Sequence, residues 1–151
     1  MVIALSSYIG DVLYFIKNDL ITNVTDPLAL QGGRTGNSKF VLTAYPQRPT
    51  IYPVITIRLT DSPAKRTGQQ TTAINMTLDL EIRIWARNQK EKDQLAQAVL
   101  TRLDAIQYTS STGSIANQLH DFEVLGNQEI NEDGDNNPKS RVMQVRYKFY
   151  T

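Results

Sequence analysis

From Ile74 to Ile84 the chain alternates apolar and polar residues without a break. Ile74, Met76, Leu78, Leu80, Ile82 and Ile84 share one parity, and Asn75, Thr77, Asp79, Glu81 and Arg83 share the other. Successive side chains of a strand point to opposite sides, so this pattern puts an apolar wall on one face and a polar one on the other. A helix would scatter the same apolar residues around its circumference. At about 3.3 Å per residue, roughly 13 residues extend ~43 Å, where a usual strand has about 5–6 residues. Such a strand is expected to run past its own sheet and to offer pairing to a partner. Trp85 falls on the polar parity, which places it under another element or at an interface.

Helical spacing flanks this strand. Ser6 or Ser7 caps a helix whose apolar positions, Ile9, Val12, Leu13, Ile16 and Leu20, recur every three or four residues. It ends near Ile21, ahead of Pro27. Asn88 caps a second helix over residues 89–107, with Leu95, Ala98, Val99, Leu103 and Ile106 as its apolar stripe. Lys90, Glu91, Lys92, Asp93, Gln94 and Gln97 are expected on its exposed side.

The remaining strands follow from the same parity. Residues 39–45 form one. Residues 51–60 form another, with Ile55, Ile57 and Leu59 opposed to Val54, Thr56 and Arg58, and Pro53 confines its start to an edge or bulge. The polar stretch 61–71 joins it to the long strand, making residues 51–87 one antiparallel hairpin whose flexible tip carries Lys65, Arg66 and Gln69. In the closing strand, residues 141–150, Met143, Val145, Tyr147 and Phe149 face inward, and the strand pairs back with the 122–125 region. The resulting fold class is α+β. It is a two-layer, mostly antiparallel sheet with a long β-hairpin, covered by two amphipathic helices in the order α-β-β-β-α-β-β, with one domain over residues 1–151.

Nothing in the chain spells a catalytic constellation. It has 151 residues, 40% apolar and 21% charged, a net charge of +1, no cysteine and one histidine. Disulfides, thiolate metal sites and a cysteine nucleophile are therefore excluded, and the charge gives no general pull toward nucleic acid. His120 beside Asp121 lacks a nucleophile and reads as a surface or strand-end residue. The run Gln31-Gly-Gly-Arg-Thr-Gly-Asn-Ser-Lys39 has the wrong glycine and lysine order for a phosphate loop and opens a strand, so it reads as a mobile loop. Residues 131–140, with Asp133 and Asp135, resemble a calcium loop at a glance. The glycine is misplaced and strands flank the run, so a polar hairpin turn is expected. No stretch reaches the roughly 20 apolar residues that span a bilayer, and Asp11 and Lys17 interrupt the early apolar segment where a leader would need its core. The expectation is a soluble, non-enzymatic domain without cofactor or metal.

The helix at 7–20, the hairpin 51–87 with its polar loop, the helix at 90–106 and the terminal Val-Arg-Tyr-Lys-Phe-Tyr at 145–150 resemble the tail-terminator proteins of long-tailed bacteriophages, the lambda type. The phrase Tyr-Pro-Val-Ile-Thr-Ile-Arg at 52–58, leading to Leu-Glu-Ile-Arg-Ile-Trp at 80–85, carries most of the likeness. It covers most of the chain and extends to relatives at tail-completion and neck positions. The resemblance implies a structural virion protein, assembled in the host cytoplasm as a ring, commonly a homohexamer. Such a ring caps the tail tube, ends its polymerisation and presents a head-joining surface. Implied partners are further copies, the tail tube protein and a connector or neck protein, with no membrane and no sequence-specific nucleic acid, although DNA may pass through the ring. Interface candidates are Arg58, Lys65, Arg66, Gln69, Arg83, Trp85, Arg87, Asp133 and Asp135. A different class, a small-ligand or nucleic-acid module on a ferredoxin-like sheet, would need exposed aromatics interleaved with basic residues. Arg83, Trp85 and Arg87 are the residues that come nearest to that pattern.

Overall fold

A computed structural model describes residues 8–29, 34, 39–43, 51–66, 74–108, 119–130 and 139–150. The chain order is α1 (Tyr8–Asn23), β1 (Val41–Leu42), β2 (Val54–Asp61), β3 (Ala64–Arg66), β4 (Ile74–Ala86), α2 (Gln89–Ile106), β5 (Leu119–Ile130) and β6 (Lys139–Tyr150). The strands form one sheet in the order β1-β2-β4-β6-β5, with β3 beside β4. β1 runs parallel to β2, and every other pairing is antiparallel. The α+β, mostly antiparallel architecture expected from the alternation is the one observed.

The register shows how one apolar parity builds the core. Leu80 of β4 lies between Leu59 of β2 and Val145 of β6, and Ile82 lies between Ile57 and Met143. Both helices cover this face: Val12, Ile16 and Leu20 of α1 and Leu95, Val99, Leu103 and Ile106 of α2 join the same buried cluster. Asp19 of α1 holds Arg102 of α2 at 2.6 and 2.8 Å, tying the helices side by side. Tyr147, fully buried, donates its hydroxyl to the carbonyl of Leu103. Burial and nearby carboxylates push that phenol well above its ordinary range.

Several expectations change on contact with this geometry. The long strand does not outrun its sheet, because β6 is nearly as long and pairs with it from Asn75 to Ala86. The hairpin tip is not all loop. β2 ends short of β4, and β3 fills the gap by pairing Ala64 with Met76 and Arg66 with Ile74. β1 is two residues long where residues 39–45 were expected, and residues 44–45 lie outside the described set. Ile9 is half exposed, and in α2 Ala96 rather than Ala98 is buried, so each stripe is rotated slightly from its ideal spacing.

The first turn of α2 departs most. Glu91 and Lys92, expected in solvent, are buried. Lys92 sits near the positive end of the helix macrodipole, an unfavourable place for a cation. Its ammonium is compensated by Glu129 of β5, with which it forms an ion pair, and by Gln89 Oε1 at 3.0 Å. Asn88 caps the helix as expected, accepting from the Glu91 amide at 2.9 Å. Glu91 reaches back to accept from the Arg87 amide at 3.2 Å and pairs with the Arg87 guanidinium at 2.5 Å. The hydrogen bonds from Arg87 hold the Glu91 carboxyl below its usual range.

The sign of that shift sets a pH dependence. A carboxyl depressed by folding adds stability above its unfolded value, about 4.3 for glutamate. That contribution fades as the pH falls through the lower folded value. Comparing the melting temperatures of the wild type and Glu91→Gln should therefore give a wild-type advantage at pH 7 that shrinks steadily below about pH 4. An advantage that stays constant down to pH 2 would show that the carboxylate's charge is not what holds this turn.

Candidate interaction surface

The second face of the sheet has no helix over it among the described residues. On β4 it presents Asn75, Thr77, Asp79, Glu81, Arg83 and Trp85, the parity that the sequence assigned to the polar side. β2 adds Thr56 and Arg58, and β6 adds Gln144, Arg146 and Lys148. Cations and carboxylates interleave across the strands. Arg58 Nη2 meets Glu81 Oε2 at 2.9 Å, and Arg146 grips both oxygens of Asp79 at 2.7 and 3.2 Å. The Asp79 carboxylate raises the already high pKa of Arg146. These pairs are solvated, so they set the face's charge pattern more than its stability.

Trp85 lies on this face, half buried, with the Arg83 guanidinium 5.1 Å from its ring and its indole N–H directed to Thr56 Oγ1 at 3.5 Å. Beneath it Val54 and Thr56 are buried, so Trp85 seals the end of the open face. Its ring is engaged within the chain and does not stand out as a stacking platform of the kind used for nucleic-acid bases.

The sequence-selected residues do not gather at one spot. Arg58, Arg83 and Trp85 share the open face. Lys65 and Arg66 sit on β3, at the far end of the hairpin, while Arg87 follows β4 at the near end. The 13 residues of β4 separate those ends, or about 40 Å at about 3.3 Å per residue. Gln69, Asp133 and Asp135 lie outside the described residues.

Other features emerge only in three dimensions. Arg34, inside the glycine-rich run read as a mobile loop, is buried against Asp26, with Nε–Oδ2 at 2.6 Å and Nη2–Oδ1 at 2.9 Å. It also donates to the carbonyls of Ile51 and Pro53 at 2.7 and 3.0 Å, tying Arg34 to the residues that lead into β2. β5, the last strand of the sheet, carries Asp121, Glu123 and the exposed pair Val124 and Leu125. Nothing in the local sequence marks these positions as an edge.

Among the described residues the clefts are modest. A cleft of about 280 Å³ lies between α1 and β1, lined by Lys17, Asn18, Ile21, Arg34, Lys39 and Phe40. A second of about 210 Å³ lies between α2 and the β5–β6 edge. Both are open and polar, unlike the enclosed apolar pockets that bind small molecules. No cluster of three metal-ligating side chains occurs among the described residues, and no helix there is long and apolar enough to cross a membrane.

No family model matches the sequence, and no curated protein gives a significant match. A solved structure does. A chain of the virion of a native gene transfer agent particle superposes with a TM-score of 0.57, covering 94% of this chain and 96% of that one at 15% identity. The two chains share a fold. The likeness runs nearly end to end in both. At that identity it establishes architecture alone.

Proposed function

We infer that this chain is a structural protein of a phage-like virion, acting in assembly and not in catalysis. Its finer role is that of a tail terminator: a ring, commonly of six copies, that caps the tail tube, ends tube growth and offers the joining surface for the head. The observation that carries this reading is the end-to-end fold match to a chain of a gene transfer agent virion, with coverage above nine-tenths on both sides. The shape of the surface supports it. A broad polar sheet face studded with partly exposed ion pairs, with open clefts among the described residues, suits contact with large, flat partners. Arg58, Lys65, Arg66, Gln69, Arg83, Trp85, Arg87, Asp133 and Asp135 are the proposed contact residues for further copies, the tube or the connector.

Solution mass by light scattering, with negative-stain imaging of the same sample, tests this reading. Closed rings, six-fold in projection, are the expected result, formed by the chain alone or upon addition of tail tubes. A monomer at all concentrations that also ignores tubes would contradict it.

A further inference from the structure

Two edges of the sheet, β5 at one end and β3 beside β4, differ in character. β5 closes one side, and no described strand lies beyond it. It is 12 residues long and contains neither lysine nor proline, the residues that most often disarm an exposed edge. Val124 and Leu125, at its middle, are 48% and 45% exposed. Asp121 and Glu123, just before them, are exposed carboxylates. The strand is interrupted by register shifts after His120 and after Val124, which turn this acidic, apolar-centred segment away from a plain ladder.

The opposite side of β4 ends differently. Where β2 leaves β4 after Asp61, β3 takes over the pairing, and no described strand lies outside β3. β3 reads Ala-Lys-Arg, with Ala64 and Lys65 exposed. One edge is thus acidic around two apolar side chains, and the other is basic around a small one.

This asymmetry decides how copies can meet. Two β5 edges joined about a two-fold axis would bring Asp121 and Glu123 toward their own copies, acid against acid. Joining β5 of one copy to β3 of the next sets acid against base and repeats head to tail, the kind of interface that closes into a ring. We propose that the outer edge of β5 docks on the β3 edge of a second copy of this chain. The Asp121–Glu123 stretch lies against Lys65 of that copy, and the Val124–Leu125 pair lies beside its Ala64. The sheet continues across the boundary by strand addition. This deepens the ring reading and rests on it.

Charge reversal across the boundary is the test. In the full chain, assembled alone or on tail tubes, Glu123→Lys and Lys65→Glu are each expected to raise the concentration for half-assembly by about tenfold or more. The double variant is expected to recover most of that loss. Val124→Lys, which places a gatekeeper charge on the edge, is expected to act like the single reversals. All of these positions are exposed, and unchanged melting temperatures would confirm that the variants fold. Wild-type rings with variants that assemble at the wild-type concentration would overturn the edge assignment and leave the ring reading standing. A wild-type chain that never assembles would remove both.

Discussion

Asp26→Ala is expected to destabilise the fold by about 3–5 kcal/mol, the range for removing one partner of a buried ion pair. Both side chains are about 1% exposed, so removing the carboxylate leaves the guanidinium of Arg34 buried without the Asp26 counter-charge, held by its hydrogen bonds to the carbonyls of Ile51 and Pro53. Asp26 also accepts from the Leu28 amide at 3.0 Å, so the turn after α1 loses a tie at the same time. For a chain of this length that cost corresponds to a fall in melting temperature of roughly 6–20 °C. Asp26→Asn keeps the shape and an acceptor but not the charge, and should fall between the alanine variant and the wild type. A urea denaturation series reads both. A loss below about 1 kcal/mol for Asp26→Ala would show that water reaches Arg34 and that the ion pair is not buried as described.

Leu80→Ala should cost about 2–5 kcal/mol, from lost transfer energy plus the cavity left behind. Leu80 is 1% exposed and sits mid-strand between Leu59 and Val145, where neither neighbour can collapse without moving a paired strand. Thr77→Ala, on the same strand but the opposite face, should stay within about 1 kcal/mol. The contrast reads the parity of β4 directly from two denaturation curves. Equal losses at both positions would mean that the second face is also covered.

That parity was legible in the sequence because it is local. An eleven-residue alternation leaves one placement for each side chain, and Arg58, Arg83 and Trp85 landed on the open face as read. The helix positions and the cap at Asn88 were legible for the same reason. What escaped depends on which strands become neighbours. Lys92 and Glu91 look solvated on a helical wheel, and they are buried because Glu129 of β5 meets Lys92 and Arg87 folds over Glu91. Arg34 sits among glycines and polar residues that carry no period, and nothing in that sequence points to Asp26, eight residues earlier, as its partner. The acidic and basic edges become visible only once β6 is known to lie between β4 and β5. Pairing of β6 with the 122–125 region is legible from the alternation, whereas its longer, unbroken pairing with β4 is not, and that pairing keeps the long strand from overrunning its sheet.

The most direct measurement follows the growth of the cognate tail tubes in the presence and absence of the purified chain, imaged in negative stain with the chain labelled. Tubes that stop lengthening and carry label as a ring at one end are the expected result. Tubes that grow unchanged and bear no label, or label confined to the head side of the neck, would contradict a tail-terminating role.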